Sequence, residues 1–338
     1  MQPAIEWLRA ELFTLGTLSM SLAWVIIGLF GLAGAIEWYG RRTGRDLMST
    51  ARPIAVVAWA SFGLFWLNLA PYFFFDHQSF VEGILALVGF PAGLYAAKLL
   101  SEGRDSLFIL TRAIAVMGVI YLPFETIPAI TIAGTTLPAP RQYLIEVVTT
   151  LTGMVISLFG YSPALIESAE GYMATYQWVL DDGTRYNVTI VLACTGLGSI
   201  AIFGGLIAAV RAPLNRKLRA LAVAVPIIFV LNVFRTAFIS IVAGNQLMHW
   251  FPDVVLFIFG ESNPYRVSFL VSDRIISQVL AVFALIAIAY LVARELPEIL
   301  TVLEDILYLL TGEEHDLQDA LDLPREPAVD QPGARRAD

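Results

Sequence analysis

Residues 221–243 read LAVAVPIIFVLNVFRTAFISIVA, an apolar run interrupted by one charge, Arg235, with Asn232 three positions before it. About 20 apolar residues suffice to span a bilayer as a helix, the form that satisfies its own backbone hydrogen bonds in lipid. An arginine inside such a helix costs about 2.5 to 3.5 kcal/mol on insertion scales and is by default functional. This one segment therefore sets both the solvent of the chain and the place to look for its chemistry.

The remainder of the chain agrees. Hydrophobic residues make up 57% of the 338, charged residues 15%, and the mean hydropathy is +0.71, values that exclude a soluble globular domain. Apolar runs at 15–38, 53–75, 80–99, 107–124, 190–210, 221–243 and 267–293 predict an all-α polytopic membrane protein of about seven transmembrane helices. Only Arg9 precedes the first run and no small-residue cleavage site follows it, so that run is expected to remain as a helix. Cations gather between runs one and two (Arg41, Arg42, Arg45, Arg52), three and four (Lys98, Arg104), and five and six (Arg211, Arg216, Lys217, Arg219). By the positive-inside rule these loops are cytoplasmic. Arg112, near the same end of run four, reads as a side chain snorkelling to the interface.

Four regions follow: a four-helix membrane part (1–124), an extracytoplasmic cap (125–189), a three-helix core (190–293) and an acidic cytoplasmic tail (294–338). Within the cap, 141–162 reads as an amphipathic helix, either interfacial or an eighth, re-entrant or spanning one, and 172–190, with Asp181-Asp182-Gly183 at its centre, as a β-hairpin feeding into run five. Leu296, Ile299, Leu300, Leu303, Ile306, Leu307 and Leu310 recur at helical spacing at the start of the tail. From Glu295 onward 12 carboxylates face three arginines, so the chain's net charge of −8 is a property of the tail and says nothing about the catalytic centre.

Cys194, in Ala-Cys-Thr-Gly-Leu-Gly-Ser (193–199), is the only cysteine and has no disulfide partner within the chain. A lone cysteine is often a small buried hydrophobe. Here it is expected at the start of a helix, where the macrodipole favours a thiolate, followed by Thr195, Gly196 and Ser199, small or hydroxylated residues that leave room for a substrate backbone and can donate to an oxyanion. Arg274, in Val-Ser-Asp-Arg-Ile-Ile-Ser-Gln, repeats the buried charge of Arg235, with Asp273 beside it and Ser277 and Gln278 one turn on. In the predicted topology Cys194, Arg235 and Arg274 share a depth near the outer leaflet. Asn232 and Asp273 are the candidate supporting side chains, and His249, in an outer loop, is a candidate acid or base.

The absent residues narrow the chemistry. His77, His249 and His315 all fall outside the apolar runs, which disfavours a serine–histidine intramembrane protease. No Gly-x-Gly-Asp motif is present, one cysteine excludes a Cys-x-x-Cys oxidoreductase, and no ligand cluster suggests a metal, so no metal or cofactor is expected.

The cysteine motif, Asn-Val-Phe-Arg-Thr 41 positions on, and Asp-Arg a further 39 positions on resemble the three catalytic motifs of the exosortase/archaeosortase membrane enzymes. Arginine at the third position, where most of the wider family has histidine, resembles the archaeosortase branch; the likeness covers roughly 15–293. It implies a membrane-embedded cysteine transpeptidase or peptidase. The resemblance further implies clients that are surface proteins ending in a Pro-Gly-Phe motif (the PGF-CTERM type), a hydrophobic helix and a basic end, with the new C-terminus joined to a membrane lipid; the residues themselves suit hydrolysis equally. Nucleic acid is not among the expected partners. Two rival readings are a transporter or receptor holding an anionic ligand on Arg235 and Arg274, which makes Cys194 incidental, and a membrane scaffold, which leaves two costly arginines without a role.

Overall fold

A computed structural model describes residues 2–76, 80–132, 135–313 and 316–317, with the side chains of 2–19, 75 and 76 outside that description. His77, His315 and the acidic end 318–338 fall outside the described residues. The helices are α1 (Gln2–Thr43), α2 (Met48–Pro71), α3 (Phe80–Ser101), α4 (Phe108–Thr126), α5 (Pro140–Leu158), α6 (Leu197–Ala209), α7 (Leu214–Gly244), α8 (Pro252–Phe259), α9 (Val267–Phe269), α10 (Ser277–Glu295) and α11 (Ile299–Thr311). A π-helical turn, Leu270–Ile276, joins α9 to α10, so that Pro264–Glu295 forms one membrane-length element. Among the described residues six helices are long and apolar enough to cross a membrane, and the protein is a multi-pass membrane protein.

The run at 190–210 departs from the expected full-length helix. It begins as a 3-10 turn, Leu192–Thr195, breaks at Gly196, and only then becomes α6, whose 13 residues cover about 20 Å against a hydrocarbon thickness of about 30 Å. α6 is held between α4 and α7.

At the centre of α1, α2 and α4, Phe30 meets Trp59 and Phe62 edge-on at centroid distances of 5.4 and 5.6 Å, and the buried Trp59 Nε1 donates to Thr111 Oγ1 at 3.0 Å. Such pairs add directional attraction to the area they bury. Arg112 does not snorkel. Its side chain is 16% exposed because Nη1 binds Glu37 Oε2 at 2.8 Å and Nη2 donates to the Ala209 carbonyl at 3.1 Å, partners the sequence places 75 and 97 positions away. The amphipathic helix expected after 294 is α11. Its Ile299, Leu300 and Val302 are buried in the main apolar cluster, and Asp305 meets Arg104 at 3.5 Å and Ser106 at 3.0 Å.

The cap contains α5 on the expected amphipathic stretch and the expected hairpin, β4 (Met173–Val179) with β5 (Arg185–Thr189), paired from Thr175↔Thr189 to Val179↔Arg185. Before these come β1 (Ile130–Ile132) with β2 (Thr135–Leu137), and β3 (Ala164–Glu167), which pairs with β4 and makes it a central strand. These short strands and α8 add to the expected cap. The sheet is fixed to the helices at three points. Tyr176 Oη donates to the Thr149 carbonyl on α5 at 2.5 Å, and Trp178 Nε1 donates to Ser240 Oγ on α7 at 3.2 Å. At the hairpin tip Tyr265 Oη donates to Asp182 Oδ2 at 2.6 Å, which holds that carboxyl below the ordinary carboxylate range.

Trp178 lies over Gly244 so closely that a Cβ there would stand 2.1 Å from the indole ring. Gly244→Ala is therefore expected to push the sheet off α7 and cost about 1–3 kcal/mol, as overpacking does. Thermal unfolding in detergent, with proteolysis of the 180–184 turn as a local readout, measures it; unchanged values for both would show that this contact does not hold the cap.

Candidate active site

The last backbone bond of the sheet, Ile190 N–H to the Ala174 carbonyl at 2.7 Å, delivers the chain from β5 into the 3-10 turn that carries Cys194. The thiol is half-buried and packs against the apolar cluster that holds Ile190, Leu192 and Leu197. Cys194 stands ahead of α6 rather than at its first turn, and its own N–H is donated to the Val191 carbonyl at 2.8 Å. Charged side chains, rather than a helix macrodipole, therefore supply the local electrostatics.

Thr195 Oγ1 donates to the Leu192 carbonyl at 2.7 Å and accepts from the Leu197 N–H at 3.3 Å, so this buried hydroxyl is committed to shaping the turn. Gly196 adopts φ +76°, a left-handed conformation in which a side chain is strained, and a Cβ would also stand 3.2 Å from Asn232 Cβ. Gly198 is exposed and a Cβ on it would meet nothing within 4 Å; Ser199 is partly exposed on the same turn of α6.

α7 grips the turn from its other side. Asn232 Nδ2 and Thr236 Oγ1, one helical turn apart, both donate to the Cys194 carbonyl, the second at 3.2 Å. Arg235 lies between them on the same turn of α7. Thr236 is a site residue that sequence reasoning missed; its signal was the i, i+4 spacing from Asn232 around the arginine.

Asp273 joins the two arginines. Its Oδ1 meets Arg235 Nη2 at 2.7 Å and its Oδ2 meets Arg274 Nε at 3.4 Å, with side-chain exposures of 14% for Asp273, 29% for Arg235 and 13% for Arg274. Two guanidiniums and one carboxylate leave one net positive charge, the sign that suits a thiolate or an oxyanion. The buried Arg235 Nε makes no hydrogen bond among the described residues, which leaves a donor for an acceptor from outside the chain. The π-turn, a feature common at functional sites, carries both Asp273 and Arg274.

His249 is exposed in the turn between α7 and α8, and the structure gives it no hydrogen bond or ion pair to this group. Among the described residues no three His, Cys, Asp or Glu side chains are grouped to hold a metal.

Residues 7–262 match the family described as transmembrane exosortase (Exosortase_EpsH). The chain belongs to the exosortase/archaeosortase family. It is 54% identical to Archaeosortase A of Haloferax volcanii over 308 residues, 91% of this chain and 99% of that protein. It is 39% identical to Archaeosortase A of Natronomonas pharaonis over 296 residues, 86% of this chain and 88% of that one. No solved structure matches. The exosortase match takes in Cys194 and Arg235 and ends before Arg274, so the place of Arg274 beside them rests on the Asp273 bridge.

Gly196→Ala is expected to strain the turn by about 1–3 kcal/mol and to displace Cys194. Measured as the alkylation rate of Cys194 by a small membrane-permeant maleimide, the rate should change several-fold while the bundle's unfolding temperature moves little. An unchanged rate would mean that the turn does not depend on the left-handed glycine.

Proposed function

We propose that this archaeosortase-family protein is a cysteine transpeptidase or peptidase. On this reading it removes a C-terminal sorting segment of the PGF-CTERM type from surface proteins through a thioester on Cys194, and passes the new C-terminus to a membrane lipid. The observation that carries the reading is the joint hold on Cys194: its carbonyl is bound by Asn232 and Thr236, the helix turn that does so carries Arg235, and Asp273 ties Arg235 to Arg274.

Cys194 as thiolate attacks a client backbone carbonyl, forming the C–S bond and a tetrahedral oxyanion. Collapse breaks the C–N bond, and the leaving amine takes up the proton that the thiol gave away. Arg235, through its unengaged Nε–H, and Arg274 stabilise the thiolate and then the oxyanion by charge-assisted hydrogen bonds. Neither arginine is a base, because guanidinium stays protonated. Asp273 is a positioning residue that fixes both forks. A lipid hydroxyl or amine next attacks the thioester, its proton returning to sulfur. The second substrate is the membrane in which the enzyme sits.

On this reading the Cys194 end faces the extracytoplasmic side and α11 the cytoplasm, a topology that the cation-rich loops support. The anion-transport reading leaves the hold of Asn232 and Thr236 on the Cys194 carbonyl without a purpose.

Mass spectrometry of a surface protein's C-terminus tests the reading. Cys194→Ala should leave the sorting segment intact while the enzyme still accumulates. Arg235→Lys and Arg274→Lys, which keep the charge but lose the planar fork, should each cost about 2–4 kcal/mol of transition-state stabilisation. Normal maturation in the alanine variant would make Cys194 structural; a full-rate Arg274→Ala would reduce Arg274 to a helix brace.

A further inference from the structure

At the far end of α6 from Cys194, about 20 Å along the helix, a second set of charges is gathered around Glu37. The Glu37 side chain is fully enclosed, and three guanidiniums converge on it: Arg41 one turn further along α1, Arg112 of α4 at 2.8 Å, and Arg211, after α6, at 3.5 Å. One carboxylate cannot balance three cations, and a net charge of about +2 remains by simple count. Burial and the like charges of Arg41 and Arg112 push the Arg211 guanidinium below its ordinary value, a sign that the cluster is over-charged. Arg41 and Arg211 keep 46% and 57% of their side chains exposed, so both still face outward, and Arg42 adds a further cation over the Trp38 ring at 5.2 Å.

From this cluster an apolar groove of about 370 Å³ runs between α1, α4 and α6. Gly31, Gly34, Val116, Val119 and Ala208 line it, Arg112 closes its charged end, and the exposed Trp38 flanks it there. A Cβ on Gly31 would meet nothing within 4 Å, so this part of the groove is open space. Its lining residue Val119 is 60% exposed on a membrane-length helix and therefore faces hydrocarbon. A cationic end and a tryptophan at the limit of the span are the signature of headgroup depth.

We infer that this groove is a binding site for an anionic phospholipid, with one hydrocarbon chain along Gly31 and Val119 and the phosphate on Arg41 and Arg211. A zwitterionic lipid brings its own cation and leaves the excess charge unbalanced, and a soluble anion leaves the apolar groove unfilled. The site is independent of the Cys194 chemistry.

Native mass spectrometry of the full chain in a neutral detergent, titrated with phosphatidylglycerol or phosphatidylcholine of the same chains, tests this. The parent should retain phosphatidylglycerol preferentially. Arg41→Gln/Arg211→Gln should weaken that retention about twenty-five-fold, each cation contributing roughly a factor of five. Gly31→Leu, which has room to fold, should fill the groove and weaken retention of phosphatidylglycerol several-fold. Equal retention of the two lipids by the parent overturns the proposal. So does undiminished phosphatidylglycerol binding in the double variant, or binding by Gly31→Leu equal to the parent, since the charge or the groove is then not what holds the lipid.

Discussion

A guanidinium placed within a membrane helix has to find a counter-charge, and the pairing of Arg235 with Asp273 at 2.7 Å meets that demand. An unpaired buried charge costs several kcal/mol, and removing one partner of such a pair costs more than the pair gains, so the two helices that share it are constrained to one relative position. Asp273 reaches the position from a π-turn and engages Arg274 with its other oxygen. α7, thus fixed, also carries the two donors that hold the Cys194 carbonyl and the serine that receives Trp178 from the cap. The thiol, both arginines and the cap are therefore referenced to one helix.

The break in the chain at Gly196 positions the thiol. A helix continuing straight through 190–210 would carry the backbone of Cys194 into its own hydrogen-bond ladder. The left-handed glycine ends the 3-10 turn instead, and α6 starts three residues after Cys194. α6 is short as a result, and α4 and α7 enclose it.

Much of this was legible in the sequence because membrane helices announce themselves by long apolar runs, and because two arginines inside such runs have few bland explanations. The hairpin around Asp181-Asp182-Gly183 and the amphipathic stretch at 141 were equally local signals. What escaped was non-local. Strand β3 is four residues whose partner lies beyond a turn, and β1 and β2 have three each, too short for a two-residue period to register. Arg112 resembled a snorkelling side chain because Glu37, 75 positions earlier, shows no local sign of being its partner. Thr236 looked like helix filler until Cys194, 42 positions away, was placed against it.

In the proposed reaction a covalent thioester joins Cys194 to the client chain. Intact-mass and peptide mass spectrometry of the enzyme isolated rapidly from membranes making a client reads that bond directly. The predicted result is an adduct of client mass on the Cys194 peptide that hydroxylamine releases and that Cys194→Ala lacks. Client maturation at the normal rate with the Cys194 peptide unmodified throughout would contradict it.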